Sequence, residues 1–181
     1  AEALAFRGAL DDAGDVGHHE TVRIAVGHDA KLENGRLNLQ VAEGDVVKFL
    51  RAMAFSFESL AERRQIHYQT TFTEEGQMAF FDKKKKEKII VNLLSNAFKY
   101  TPVKGSVSVK ILLENGRLKI SVEDSGPGIS KEDLDKIFQR FYQVEGMEDK
   151  GTGIGLNLVE ELVELHHGQI SVESAQGKGT M

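Results

Sequence analysis

Cysteine is absent from the 181 residues, which excludes a disulfide framework and any thiolate metal site. That absence fits a reducing compartment. Only two prolines occur, Pro102 and Pro127, so long proline-rich linkers are excluded. No apolar run approaches the roughly 18 residues of a membrane span. The start, AEALAFRGALDDAGD, lacks a basic region followed by an apolar one, so no signal peptide is expected. Nor is there an excess of positive charge. The net charge is −5 and the pI about 5.7, against the basic surface that general nucleic-acid binding favours. What remains is 40% hydrophobic and 28% charged, which suits one globular domain with a real core.

Residues 1–30 contain no lysine, although the chain has many, and that segment is rich in Ala, Gly, Asp and His. It reads as an appendage or linker remnant. A short helix is expected over Ala1–Ala13 and a short strand over Thr21–Val26, neither with an evident partner. From residue 31 to 181 the pattern becomes regular. Leu37–Val41 alternates as a strand. Asp45 is placed to cap a helix running to about Arg64, whose apolar residues Val46, Phe49, Leu50, Met53, Phe57 and Leu60 recur at helical spacing. Ile66–Phe72 and Gln77–Phe81 read as two strands around the turn Glu74-Glu75-Gly76. Val107–Leu113 and Arg117–Val122 read as a hairpin around Asn115-Gly116. A helix is expected from Thr152 to His167, stopped by Gly168, then a strand over Gln169–Ser174. Helices interleaved with strand pairs argue an α+β architecture, a mixed sheet with helices on one face.

Three stretches carry chemistry. In Glu87–Thr101, read as a helix opening from Asp82, Asn92, Asn96 and Lys99 fall in one row, opposite Ile90, Leu94 and Ala97 and flanked by Val91, Leu93 and Phe98. A solvated face favours better helix formers than Asn, so two Asn one turn apart beside a Lys suit a polyanion. Asp124-Ser-Gly-Pro-Gly-Ile129 follows a strand. Its Asp can accept a hydrogen bond from an exocyclic amine, and its glycines admit a flat ligand, although the same residues also make a good surface turn. Gly151-Thr-Gly-Ile-Gly-Leu156 enters a helix, where free N–H groups make a phosphate site. No strand precedes it, which excludes the dinucleotide fingerprint, and no Gly-Lys-Ser/Thr run makes a P-loop. Between the two loops, Lys131–Lys150 is long enough to be a lid, with Phe138 and Phe141 expected to pack.

Together these stretches resemble sensor histidine kinases. Asn92-Leu-Leu-Ser-Asn96-Ala-Phe-Lys99-Tyr100-Thr is similar to their N box and Asp124-Ser-Gly-Pro-Gly to their first glycine box. Ile137-Phe-Gln-Arg-Phe-Tyr142 is similar to their phenylalanine box, Gly151–Leu156 to their second glycine box, and Gly177-Lys-Gly-Thr180 to the last glycine motif, cut short. Each is weak alone, but the ordered set is specific. The resemblance implies a two-layer α/β sandwich of the Bergerat type that binds ATP and Mg²⁺ between helices and sheet. It makes Asn96 the metal ligand, with Asn92 beside it, Lys99 a phosphate partner and Tyr100 a wall against the nucleotide. Asp124 would accept the adenine amine, with Gly126, Gly128 and Ile129 shaping that pocket. Gly151, Thr152, Gly153, Ile154, Gly155 and Leu156 would form the triphosphate loop, and Thr180 would complete the site. Arg140, the lid's sole Arg, is a candidate for the γ-phosphate; where the family often has an Arg after Phe-Tyr, this chain has Gln143.

Two departures define the expected activity. Relatives that hydrolyse ATP place a Glu where Asn92 stands, so slow hydrolysis is expected. The kinases phosphorylate a His in a His-Glu-x-x-x-Pro setting; here His19-Glu20 is followed by Ile24 in the proline's place. The expected function is therefore the catalytic domain of a two-component kinase, acting on a dimerisation and phosphoacceptor domain absent from this chain, with a response regulator downstream. The cytoplasmic part of a membrane-bound sensor is the expected setting. A degenerate interaction module without nucleotide and an anti-sigma serine kinase of the same superfold are the alternatives. Lys83–Lys86 is expected to be a solvated face, or through Lys85 and Lys88 an extension of the polar row, and His166 and His167 to favour the negative end of their helix.

Overall fold

The computed structural model describes residues 24–26, 39–73, 76–114, 117–144, 152–177 and 179–180. The elements run β1 (Ile24–Val26), β2 (Ala42–Asp45), α1 (Val46–Phe55), α2 (Glu58–Arg64), β3 (His67–Phe72), β4 (Met78–Phe81), α3 (Lys83–Tyr100), β5 (Ser106–Glu114), β6 (Arg117–Asp124), α4 (Lys131–Leu134), α5 (Gly155–Leu165), β7 (Ser174–Ala175) and β8 (Gly179–Thr180). The main sheet is ordered β3-β5-β6-β8-β7, with β1 also on β6; β2 and β4 form a separate antiparallel pair. β3 lies parallel to β5 and the other pairs are antiparallel. The sheet is mixed and helices α1, α3 and α5 pack together on it, which is the two-layer α/β architecture expected.

The core forms because one face of each strand is apolar. Val107, Val109 and Ile111 of β5 and Leu118, Ile120 and Val122 of β6 alternate inward at the two-residue period of a strand. Against them α3 lays Ile89, Ile90, Leu93, Leu94, Ala97 and Phe98, all buried, along one stripe. Val91 falls outside that stripe and is exposed. Asp82 caps α3 by accepting from the Lys85 N–H at 3.1 Å. Thr101 closes it, its hydroxyl donating to the Ala97 carbonyl at 2.7 Å just before Pro102.

Several expectations are corrected. Residues 39–41 are not strand; β2 begins at Ala42, while Asp45 does cap the next helix, accepting from Lys48 N–H at 2.9 Å. That helix breaks after Phe55, where the Ser56 hydroxyl donates to the Met53 carbonyl and competes with the helical ladder. β3 and β4 do not pair with each other: β3 joins β5 and β4 joins β2. A polar turn reports only that the chain reverses, not which strand it will meet. Helix α5 starts at Gly155, and its left-handed terminal residue is His167 at φ 53°, with the Gly168 N–H returning to the Val163 carbonyl. The strand expected at Gln169–Ser174 is confined to Ser174–Ala175. The short strand near Val26 is present and does have a partner, β6, with Ile24 opposite Ile120. Ala1–Ala13 and Leu37 lie outside the described residues.

Candidate functional site

A cavity of about 440 Å³ opens between α3, the end of β6, the Gly-Pro-Gly turn and the start of α5. Asn92, Asn96, Lys99 and Tyr100 line it from the α3 row, and Asp124, Gly128 and Ile129 from the β6 end. Thr152, Gly153, Ile154, Gly155 and Leu156 line it from the second glycine loop, and Thr180 from β8. Residues from four distant stretches thus meet as the sequence reading expected. Gly126 supports the wall from behind, its N–H donating to Asp124 Oδ1 at 2.8 Å. A Cβ on Gly126 would sit 2.7 Å from that oxygen and 3.0 Å from the Tyr100 carbonyl. Gly151 lies outside the described residues.

Asp124 is the electrostatic centre of the β6 end of the cavity. Its Oδ1 accepts from Gly126 N–H and, at 3.3 Å, from Thr180 N–H. Burial pushes its carboxyl up to about 6, only partly offset by those two bonds. A half-buried acceptor poised in that way suits an amine donor brought by a ligand. The turn that follows is fixed by close packing: Gly128 has φ 69°, and a Cβ there would meet the Ala175 carbonyl oxygen at 2.1 Å. The Ser174 hydroxyl oxygen accepts the Ile129 N–H at 2.6 Å and donates to the Gly179 carbonyl at 3.1 Å, clamping β7 and β8 to the loop.

At the other end, the Asn92 amide donates to the Lys88 carbonyl at 2.7 Å, which leaves its Oδ1 as an acceptor. That oxygen faces the start of α5: a Cβ on Gly155 would lie 3.0 Å from it and 3.8 Å from Asn96 Nδ2. The asparagine row therefore looks at the free N–H groups of a helix N-terminus, where negative charge is favoured. Lys99 Nζ stands 3.4 Å from the Tyr100 hydroxyl, adding a cation to the same wall. Two carboxamide oxygens are hard donors of the kind Mg²⁺ takes. Among the described residues no group of His, Asp and Glu gathers to hold a metal by itself. The donor set fits an ion that brings phosphate oxygens and water as its remaining ligands.

The lid is where residues were missed and misplaced. Tyr142, Gln143 and Val144 line the cavity, as do Ile137, Pro127, Leu158 and Val172. Tyr142 donates to Asp133 Oδ1 at 2.6 Å, and with the Ser130 hydroxyl it holds that carboxyl below its usual range. The signal for Tyr142 was its place at the end of the aromatic run, which a packing reading discards. Phe141, expected to pack, is 65% exposed with φ 67°, its N–H donating to the Gly153 carbonyl at 2.8 Å. Arg140 is exposed, its guanidinium 5.3 Å from the Phe141 ring centre, and it does not line the cavity.

The lysine run is corrected too. Lys83 and Lys84 are exposed as expected, but Lys85 pairs with Asp82 at 2.7 Å and Lys86 is buried with its Nζ unpartnered, so only half the run is a solvated face. Burial lowers Lys86 to about 8. His166 is also buried; burial, then the neighbouring Lys86 charge, lowers it to about 4, so it is neutral and does not serve as a helix-end cation.

Residues 81–181 match the model of the family described as histidine kinase-, DNA gyrase B-, and HSP90-like ATPase. Histidine kinase P4 of Formosa agariphila is 40% identical over 159 residues, covering 83% of this chain and 12% of that protein. The chain thus spans a small fraction of the curated relative it matches. Among solved structures, full-length ShkA in complex with AMPPNP superposes with a TM-score of 0.69 at 27% identity, over 80% of this chain and 30% of that one. The nucleotide-free catalytic domain of histidine kinase ThkA has a TM-score of 0.68 at 24% identity, over 78% of this chain and 92% of that one, a likeness of fold. With the cavity, the asparagine row and both glycine loops in place, the chain belongs to the histidine kinase-, DNA gyrase B-, and HSP90-like ATPase family and carries the ATP-binding catalytic domain of a sensor histidine kinase.

Proposed function

We propose that this domain binds ATP together with Mg²⁺ and hands the γ-phosphate to a histidine on a separate dimerisation and phosphoacceptor domain, which passes it to a response regulator. The observation that carries the reading is Asn92 and Asn96, one turn apart on α3, facing the N-terminus of α5 across one cavity from Asp124. Asp124 accepts the adenine amine, the Thr152–Leu156 loop and Lys99 take the phosphates, and Asn96 with Asn92 holds the metal. When bound, Mg²⁺ neutralises charge developing on the phosphate oxygens. The chain's own part is positioning: it fixes the base at one end and leaves the γ-phosphate at the lid end. Among the described residues no carboxylate lines the phosphate end, and Asn92 stands where a general base for water would be a carboxylate. That favours transfer over hydrolysis, and it supports a kinase over an ATPase. The γ-phosphate partner remains with the lid, where Gln143 lines the cavity and Arg140 stands outside it.

Membrane attachment of a longer parent fits this role; among the described residues no helix is long and apolar enough to cross a membrane. Calorimetry with a non-hydrolysable ATP analogue tests the reading. Binding that strengthens with Mg²⁺, and no phosphorylation of the chain itself by ATP, is the expected result. A folded sample that binds no nucleotide would favour the interaction module instead.

A further inference from the structure

Residues 137–144 are tied down at two neighbouring points. The first tie is a side chain. Tyr142 lines the cavity, and its hydroxyl donates to Asp133 Oδ1 at 2.6 Å, the length of a bond to an ionised acceptor. That acceptor is itself held. The Ser130 hydroxyl donates to Asp133 Oδ2 at 2.7 Å and accepts the Asp133 N–H at 3.2 Å, fixing the carboxyl at the start of α4. α4 packs against β7, the strand whose Ser174 is bonded to the Ile129 N–H. Asp133 is thus a fixed post on the frame of the domain.

The second tie is backbone. The Phe141 N–H donates to the Gly153 carbonyl at 2.8 Å. A Cβ on Gly153 would lie 2.6 Å from the Phe141 carbonyl carbon and 2.7 Å from the Tyr142 carbonyl oxygen, so the two backbones touch. Gly153 belongs to the second glycine loop, which leads into α5. Phe141 makes its bond at φ 67°, a conformation that a bulky L residue holds only where its surroundings impose it. Its own ring is 65% exposed, so packing of that ring does not impose it. Tyr142, the next residue, is held by its hydroxyl on Asp133 and by its N–H on the Gln139 carbonyl at 3.2 Å.

We propose that Tyr142 is a positioning residue: its hydrogen bond to Asp133 fixes the turn at Phe141 and, through the Phe141–Gly153 bond, sets the second glycine loop in place for the phosphates. A small displacement of a positioned group is costly to a site that works by alignment. The other end of the cavity does not depend on this strut, because Asp124 is held by the Gly126 and Thr180 N–H groups. The phosphate part of the proposal rests on the ATP reading above; the tie from Asp133 through Tyr142 to the glycine loop does not.

The strut is tested first without nucleotide, by hydrogen exchange of the Phe141 amide in the full chain, read by NMR. Tyr142→Phe, which removes only the hydroxyl, should speed that exchange several-fold, and Asp133→Ala should do the same. The double variant should be no faster than either single one, because both remove one bond. Asp133→Asn keeps an oxygen for the hydroxyl and should stay near the parent. Unchanged exchange in Tyr142→Phe, or additive effects in the double variant, would overturn the proposal. Binding then tests the role. Tyr142→Phe should bind the ATP analogue with Mg²⁺ about five- to tenfold more weakly, the worth of one ordinary hydrogen bond, with AMP affinity within about twofold of the parent. Asp133→Asn should restore the analogue affinity that Asp133→Ala loses. Equal losses for both nucleotides, or a fall in melting temperature that accounts for them, would make Tyr142 a merely structural residue. A folded parent that binds neither nucleotide would fault the ATP reading, while the exchange pattern still decides the strut.

Discussion

Asp82 and Asp124 both stand at the C-terminal end of a strand, β4 and β6, and both are shielded from water. At Asp82 the fold supplies every partner. Lys85 gives an ion pair and an N–H, Gln40 gives another N–H at 2.8 Å, and these hold the carboxyl down to about 2 against the cost of burial. At Asp124 burial outweighs two N–H bonds, no cation among the described residues offsets it, and the carboxyl rises to about 6. One carboxylate is consumed in holding α3 in place; the other is left underused and pointed into a cavity. A satisfied charge marks structure and an under-satisfied one marks a place kept for a ligand.

The largest effect that would break this contrast is on binding. Asp124→Asn should weaken the ATP analogue about 10- to 100-fold, the worth of a charged hydrogen bond, while thermal stability stays level or rises because an awkward buried carboxyl is gone. Comparable loss of fold and affinity would make Asp124 a structural residue like Asp82. Next, Asp82→Ala should cost about 2–4 kcal/mol in denaturant unfolding, since it removes a helix cap and leaves Lys86 without its nearest counter-charge. ATP-analogue affinity should stay within about twofold, because the asparagine row lies about 20 Å further along α3.

The third prediction sharpens the comparison by pH. Asp82 has a lowered folded value, so its stability contribution is full above about 4 and lost as pH falls toward 2. Asp124 has a raised one, so it removes stability as pH climbs from about 4 to 6. His166, lowered to about 4, adds stability as pH climbs from there to about 6.5. The last two oppose each other in the parent. In Asp124→Asn the His166 contribution is no longer opposed by Asp124, so melting temperature should rise more steeply between pH 4 and 6.5 than in the parent. Parallel curves would deny the unusual Asp124 value. The smallest effect is expected at Arg140: Arg140→Ala should change ATP-analogue affinity less than about twofold, because the side chain stacks on Phe141 outside the cavity.

The sequence made some of this plain because the signal was local. The stripe of α3, the Asp45 cap and the β5–β6 hairpin each depend on neighbours within a few residues, and each is where the pattern put it. The site was legible through ordered spacing: Asn96, Asp124 and Gly155 carry short motifs that the fold brings together. What stayed hidden depended on distant partners. That β3 would join β5 rather than β4 is a matter of packing across the sheet. Lys86 looked like one lysine among four, yet the helix turns it toward Asp82 and His166. Phe141 reads as core by composition, but its backbone is held in a left-handed conformation that turns the ring outward.

The parallel join of β3 to β5 also has a kinetic consequence. Tyr68 meets Val107 only after the chain has passed through β4 and the whole of α3, so the helix carrying the asparagine row is itself the crossover between the two strands. Such non-local pairing is slow, because loop entropy is lost before contacts repay it. The asparagines cannot face Gly155 until that crossover has docked and α5 has settled against it. Nucleotide recognition therefore arrives at the end of folding, and half-made chains on the way there present no assembled site for ATP.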